Sequence, residues 1–345
     1  MAEILITGGA GFIGCNAAGR FLRKGHRVVV VDNLSRKGAD SNLKWLEGLG
    51  GDLRFEKGDV RDFEFLSQLM EKYNPHAVIH LAAQVAVTTS VEDPRTDFEV
   101  NALGTFNLLE AVRTSGKRPA ILFASTNKVY GAMEDIEIVE RNGEYAYSDL
   151  PFGVDESRQL DFHSPYGCSK GAADQYVLDY ARIYDLPTVV FRQSCIYGTR
   201  QFGVEDQGWV AWFSIAAVLG HPITIYGDGK QVRDVLFVED LIDLYEKAIA
   251  SIDTVKGEAF NVGGGPENTL SLLRLLGKLE ELLGKKIPVS YADWRPGDQK
   301  VFIADVRKAK RMLGWEPAIG PDEGVERLLR WVQDNRDLLS KYLGV

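Results

Sequence analysis

Short runs of consecutive apolar residues alternate along this chain with stretches whose apolar positions recur every three or four residues. Ile4-Leu5-Ile6-Thr7 predicts a first strand, residues 16–24 a helix and residues 27–31 a second strand. Leu53-Arg54-Phe55 predicts a third strand and residues 63–72 a helix. Ala77-Val78-Ile79-His80-Leu81-Ala82-Ala83 reads as a buried strand whose small carboxyl-end residues leave room for a ligand. Residues 85–90 read as a loop, and a helix is expected from Asn101, with Leu103, Phe106, Leu108, Leu109 and Val112 on its apolar positions. Ile121-Leu122-Phe123-Ala124 and residues 188–192 are the next strands, separated by a helix that runs from Pro165 toward Pro187. Strands that read as near-continuous apolar runs, alternating with helical periodicity, are the pattern of a parallel sheet covered on both faces.

The pattern loosens after residue 197. Residues 200–209 are irregular, 210–219 an apolar helix, and Ile223-Thr224-Ile225-Tyr226 a strand running into Gly227-Asp228-Gly229. An amphipathic helix over 240–249 and a returning strand over 257–262 follow. From Gly263 a smaller lobe is expected, with helices over 270–283, 304–313 and 324–342 and an extended piece over 287–291. Gly8, Gly11 and Gly14 lie between the first strand and its helix, where a backbone must approach a pyrophosphate closely at a helix N-terminus. The fold class is therefore α/β: a Rossmann-type doubly wound parallel sheet with a smaller, discontinuous C-terminal substrate lobe. Residues 1–197 plus about 233–262 form the cofactor domain in this reading, and about 198–232 and 263–345 the lobe.

Composition narrows the function. A chain of 345 residues can bury a sizeable core and build two lobes. A net charge of −9 without a basic stripe argues against a nucleic acid polymer as partner, though a local pair of arginines can still hold an anionic small molecule. The three cysteines, Cys15, Cys168 and Cys195, make no C-x-x-C and suggest no disulfide framework. No signal peptide is visible and no apolar run approaches the roughly 18 residues of a membrane span, so a cytoplasmic protein is expected, with no membrane association and no metal site.

Candidate chemistry lies at the predicted strand ends. Asp32 ends the second strand, where a carboxylate accepts ribose hydroxyls and repels a 2′-phosphate; this favours NAD over NADP, although Ser35-Arg36-Lys37 places positive charge nearby. Asp59 is read as facing the adenine edge or as a helix N-cap, and Asn101 as a helix cap, a phosphate contact or both. Thr88 and Thr89 are positioned to touch a substrate or to serve as plain turn residues. Tyr166 and Lys170, four apart on a helix, stack on one face. A phenol of pKa about 10 needs roughly three units of depression, about 4 kcal/mol, to act near neutrality. Lys170 supplies part of that in this reading, and a cationic nicotinamide ring the rest. With a hydroxyl from Ser125-Thr126, the pair forms a proton path for oxidising an alcohol, the hydride going to the nicotinamide.

Gly8-Gly9-Ala10-Gly11-Phe12-Ile13-Gly14, Thr126 with Val129-Tyr130-Gly131, Tyr166-x-x-x-Lys170, residues 226–234 and Arg295-Pro296-Gly297-Asp298 resemble the extended short-chain dehydrogenases/reductases, the nucleotide-sugar epimerases and dehydratases. Within them the chain is most similar to the CDP-paratose 2-epimerases, on residues 83–90, Ser125-Thr126-Asn127-Lys128-Val129-Tyr130, His163–Lys170 and Phe191–Gly198. Two departures from the wider superfamily stand out. The 4,6-dehydratases place an Asp-Glu pair after the catalytic Thr, where this chain has Asn127 and Lys128. Many relatives have Asn where Cys195 stands, and a Cys is a poorer hydrogen-bonder and more often a packed thiol.

The resemblance implies catalysis by Thr126, Tyr166 and Lys170. It implies tightly held NAD at Gly8, Gly11, Phe12, Ile13, Asp32, Asn33, Ser35, Arg36, Asp59, Val60, Leu81, Ala82, Ala83, Asn101, Ser125, Tyr166, Lys170 and Gln193. A nucleotide-hexose, CDP- or GDP-linked, would meet Gln84, Thr88, Thr126, Asn127, Cys195, Arg233, Arg295 and Asp298, the two arginines clamping its diphosphate. The implied reaction inverts C2 through a transient keto-sugar, with no net redox. A nucleotide-hexose 4-epimerase, a net NAD(P)-dependent oxidoreductase and a non-catalytic NAD-binding protein are the alternatives; the last is expected to lack the Tyr or the Lys. The same likeness implies a homodimer through helices near 101–114 and 170–184.

Overall fold

The computed structural model describes residues 1–295 and 298–343; Pro296 and Gly297 of the Arg295–Asp298 motif, and the end of the lobe, lie outside them. Seven strands form the main sheet: β1 (Glu3–Thr7), β2 (Arg27–Asp32), β3 (Leu53–Lys57), β4 (Ala77–His80), β5 (Ala120–Thr126), β6 (Thr188–Gln193) and β7 (Glu258–Val262). All pairs are parallel, in the order β3-β2-β1-β4-β5-β6-β7. The order reverses between β1 and β4, and the crevice beyond the carboxyl ends at such a switch is where ligands bind in open α/β sheets.

The apolar runs work because side chains alternate across the sheet. Ile4, Ile6, Val28, Val30, Ile79, Leu122, Val189 and Phe191 pack into one buried cluster. Their neighbours Leu5, Val29, Val31, Val78, Ile121, Phe123 and Val190 pack into the other. Each such side chain contributes about 1.5–3 kcal/mol when fully buried, so both layers hold the sheet.

The smaller lobe is built around the helix Trp209–Leu219, with Ile223, Ile225, Leu275, Leu279, Val325 and Leu329 in its core. Its small sheet departs from the expected boundary: the strand Val232–Phe237 pairs with Cys195–Tyr197, Thr269–Ser271 and Val301–Phe302, not with the main sheet. The next helix, Val238–Ala250, does pack on the main sheet through Leu241, Leu244 and Tyr245. The segment 233–262 is thus divided between the two cores. A second departure is a hairpin of Ile138–Arg141 and Glu144–Tyr147, which packs with Val301 and Phe302.

Three further expectations change. Residues 85–90 are not a loop throughout, since Val87–Glu92 is a helical turn. The helix expected from Asn101 begins earlier, at Pro94, where the Asp93 carboxylate caps the Thr96 N–H, and continues through a π-turn, Glu99–Leu103, into Gly104–Thr114. The single C-terminal helix is two, Pro321–Asp334 and Arg336–Leu343, and the preceding one starts at Arg307.

Candidate active site

The glycine turn is shaped for close approach. Gly8 has φ of 67° and lies so near the end of β4 that a Cβ would come within 2.7 Å of the Ala82 nitrogen. At Gly14 a Cβ would sit 2.2 Å from the Gly8 carbonyl oxygen. The helix Phe12–Arg23 starts there, so the Phe12 and Ile13 N–H groups lie in a first turn, without intrahelical acceptors and at the positive end of the dipole. Leu81, Ala82 and Ala83 form the opposing lip, fixed by Leu81 N–H donating to the Thr7 carbonyl at 3.0 Å.

Asp32 lies at the carboxyl end of β2, its two oxygens accepting from the Ala10 and Leu34 N–H groups at 3.0 and 2.8 Å. Each oxygen keeps a further lone pair for a ribose hydroxyl. Burial raises its pKa and those two bonds lower it. Asn33 bonds Asp59 at 3.0 Å and orders Ser35 through its side-chain oxygen. Asp59 does not cap the helix over 63–72, a role taken by Asp62; it is held by Arg61 through both oxygens, which brings its pKa down to about 2. Val60 is a core residue packed against Gly104. Arg36 donates to Gln207 of the lobe, and both line a cavity of about 80 Å³ with Gly11, Phe12 and Arg200. A backbone that tolerates no side chain, first-turn N–H groups and an acceptor carboxylate together fit a dinucleotide with a free 2′-hydroxyl, as NAD has.

Tyr166 is in the first turn of the helix Ser164–Tyr184, and Lys170 is one turn on. The N-cap residue His163 makes no capping bond; the Ser164 hydroxyl accepts the Gly167 N–H and the Ser90 hydroxyl accepts the Tyr166 N–H, each at 3.2 Å. Thr126 ends β5, and its hydroxyl meets the Tyr166 phenol. Lys170 donates to the Ala124 carbonyl at 2.6 Å and lies 4.2 Å from the Phe123 ring centroid. Sequence reasoning paired Lys170 with a lowered Tyr166 pKa. Among the protein's own groups this does not hold: burial pushes the phenol up to about 12, Thr126 pulls it back in part, and Asp97 adds to the rise. Burial also takes Lys170 down to about 7, against the opposing pull of Asp174 and Asp97, so its charge is only partly present at neutral pH.

Several residues expected at the ligands also have partners within the protein. Asn101 is buried, accepting from the Gln84 N–H at 2.9 Å and donating to the Gln84 carbonyl, Asp97 and Ser169; it neither caps a helix nor offers a free amide to a phosphate. Gln84 folds onto Ala86 and Asp97 through its side chain, so its amide is taken up by the protein. Thr88 is exposed on the short helix after Ala86. The Ser125 hydroxyl donates to Asp174 at 2.7 Å, and Gln193 donates to Tyr245 at 2.6 Å.

Beneath the site, Arg192 grips Asp174 with two 3.0 Å bonds, both residues buried, and reaches the Tyr130 hydroxyl at 3.1 Å. His80 links two strands and a helix. Thr105 spends its proton on the Asn101 carbonyl, so it accepts from His80 Nε2, and His80 Nδ1 accepts from Thr7 at 2.6 Å. Burial lowers the imidazole pKa to about 3, keeping it neutral. Asp97, Ser90, Asp174 and His80 were missed as supporting residues. Ser90 reaches Tyr166, Asp174 reaches Ser125 and Arg192, and His80 reaches Thr7 and Thr105, all remote in sequence, while Asp97 joins Asn101, one helical turn on, to Gln84 and Ser169.

On the lobe side, Arg233 donates to Asp298 at 2.7 Å. Asn127 sits beside Thr126, their side-chain oxygens 3.5 Å apart. Cys195 accepts from the Trp209 indole at 3.0 Å, and burial pushes its thiol up to about 12, so it is a packed neutral thiol. Arg295 is not tied to Arg233: its guanidinium lies 3.9 Å from the Tyr226 ring centroid and pairs with Asp206 at 2.9 Å.

Residues 5–328 match the family described as GDP-mannose 4,6 dehydratase. The CDP-paratose 2-epimerase of Salmonella typhi is 50% identical over 334 residues, spanning 95% of this chain and 98% of that one. The UDP-glucose 4-epimerase of Thermotoga maritima with UDP-glucose superposes with a TM-score of 0.82 at 32% identity, covering 97% of this chain and 99% of that one. The UDP-glucose 4-epimerase of Thermus thermophilus in complex with NAD gives a TM-score of 0.80 at 33% identity, covering 96% and 99%. With its switch-point glycine turn and its Thr126–Tyr166–Lys170 constellation, the chain belongs to the NAD-dependent epimerase/dehydratase family of the extended short-chain dehydrogenases/reductases.

Proposed function

We propose that this protein is an NAD-dependent nucleotide-sugar epimerase that inverts C2 of a CDP-linked hexose, converting CDP-paratose to CDP-tyvelose. The observation that carries the choice of carbon is the 50% identity to a CDP-paratose 2-epimerase over nearly the whole of both chains. The site agrees in what it lacks for the dehydratase reaction: Asn127 and Lys128 stand where water loss needs an acid and a base.

The glycine turn, Asp32 and the lip at 81–83 would hold NAD, which would supply a hydride acceptor and donor and, when oxidised, a positive charge. Tyr166 takes the proton of the sugar hydroxyl and later returns one to the same oxygen. Thr126 holds that oxygen or the phenol. Lys170, anchored to the Ala124 carbonyl one helical turn from Tyr166, supplies positive charge to the site when protonated. The Ser90 cap and the Arg192–Asp174 pair hold the helix carrying Tyr166 and Lys170 against β5 and β6. The ketone turns its other face between the two half-reactions, so one tyrosine serves both and the cofactor need not exchange. Arg233 is read as the contact to the diphosphate, exchanging Asp298 for it.

Tyr166→Phe tests the assignment. It removes the transferred proton and leaves the fold, so turnover should fall at least about 10²–10⁴-fold while NAD released on denaturation stays at the wild-type ratio. Turnover near the wild-type rate would refute the role. We place the protein in the cytoplasm: its three cysteines are free, and among the described residues no helix is long and apolar enough to cross a membrane. It is read as a homodimer through the helices Gly104–Thr114 and Ser164–Tyr184.

A further inference from the structure

Lys128 follows the catalytic Thr126 by two residues, in the 3-10 turn Asn127–Tyr130. Its N–H donates to the Thr126 hydroxyl at 3.2 Å, and its carbonyl lies against Gly167, next to Tyr166. The same turn is fastened to the lobe. The Tyr130 ring stacks on Phe302 at 6.4 Å, Phe302 is the register partner of Arg233, and Gln299 donates to the Gly131 carbonyl at 2.6 Å. These contacts bring Lys128 to the Arg233–Asp298 pair, and those two are the charged groups that face its ammonium. Among the described residues the ammonium has no hydrogen-bond or ion-pair partner, although the side chain is largely covered. Burial and Arg233 both disfavour its charge, and its pKa falls to about 8. Arg233 is paired with Asp298, and among the described residues the neighbouring Lys128 ammonium is paired with no carboxylate, an arrangement an anion would complete.

We propose that Lys128 is a substrate-binding residue that contacts the nucleotide diphosphate opposite Arg233 and sets which sugar carbon reaches Tyr166. This rests on the 2-epimerase reading. In a nucleotide sugar, C2 is bonded to the phosphate-bearing C1, whereas C4 lies across the ring from it. A substrate oxidised at C2 therefore brings its diphosphate close to the catalytic threonine, where Lys128 stands. A substrate oxidised at C4 holds that phosphate further away. A compact, rotatable ammonium suits a phosphate whose position shifts as the ketone turns.

The test is binding of CDP, CMP and cytidine to NAD-loaded wild type, Lys128→Met and Lys128→Arg by calorimetry, with NAD content as the check of folding. Lys128→Met should weaken CDP about ten- to hundred-fold, leave cytidine unchanged, and be largely rescued by Lys128→Arg. Unchanged CDP affinity in Lys128→Met, or equal losses for CDP and cytidine, would overturn the proposal. Because binding is read without turnover, the diphosphate contact is tested even if the sugar proves to be inverted elsewhere. In that event the contact stands and its link to C2 falls.

Discussion

Lys170 is enclosed by β5, the Phe123 ring and its own helix, and among the described residues only the Ala124 carbonyl bonds its ammonium. Its pKa is lowered from 10.5 to about 7, so between those values the unfolded chain holds a proton that the folded chain does not. Stability therefore rises with pH across that window and is lowest below it. Lys170→Met should be inactive yet more stable than wild type at pH 7 by a few kcal/mol, with the difference vanishing near pH 10.5. Denaturant unfolding at the two pH values measures this, and a variant less stable at pH 7 would contradict it. Tyr166, Lys170 and Thr126 were legible because their spacing and strand-end placement carry chemistry. The state of the phenol was not. It depends on how deeply burial and Asp97 raise it, which spacing does not encode.

The main-sheet strands were readable because buried parallel strands are written as unbroken apolar runs. The lobe's strands were not, since pieces such as Thr269–Ser271 and Val301–Phe302 are too short to carry a period and exist through partners far along the chain. The helix holding Asn101 was misread for a local reason. Asp93-Pro94 is its capping signal, and the π-turn at Glu99–Leu103 rotates Asn101 inward onto Gln84. A methyl at residue 14 would sit 2.2 Å from the Gly8 carbonyl, so Gly14→Ala must push the helix away from the glycine turn. We expect about 1–3 kcal/mol of destabilisation and loss of co-purifying NAD. Retention of NAD at the wild-type ratio would show that the turn does not hold the pyrophosphate.

At the scale of the whole molecule, two neighbouring helices carry exposed apolar side chains. Phe98, Leu103, Phe106, Tyr176, Ile183 and Tyr184 are exposed on the helices over 94–114 and 164–184. Phe106 meets Tyr176 edge-on at 5.6 Å, and Tyr180 meets Tyr184 at 4.9 Å. Contiguous exposed apolar surface of this kind marks an interface, and a symmetric pair of such helix faces can cover itself. Phe106→Glu with Tyr176→Glu should convert a dimer to a monomer in light scattering. A wild-type protein that is monomeric at micromolar concentration would refute that reading. The lobe's extent was only partly legible, because the strand Val232–Phe237 serves the small sheet while the helix after it serves the large one.

The central claim is inversion at C2 by a protein that carries its own cofactor. NMR of the sugar after incubation of purified protein with CDP-paratose, and with CDP-, GDP- and UDP-hexoses, without added NAD, tests it most directly. Conversion of CDP-paratose to its C2 epimer is the expected result. Inversion at C4, or no change in any sugar even after NAD is supplied, would contradict it.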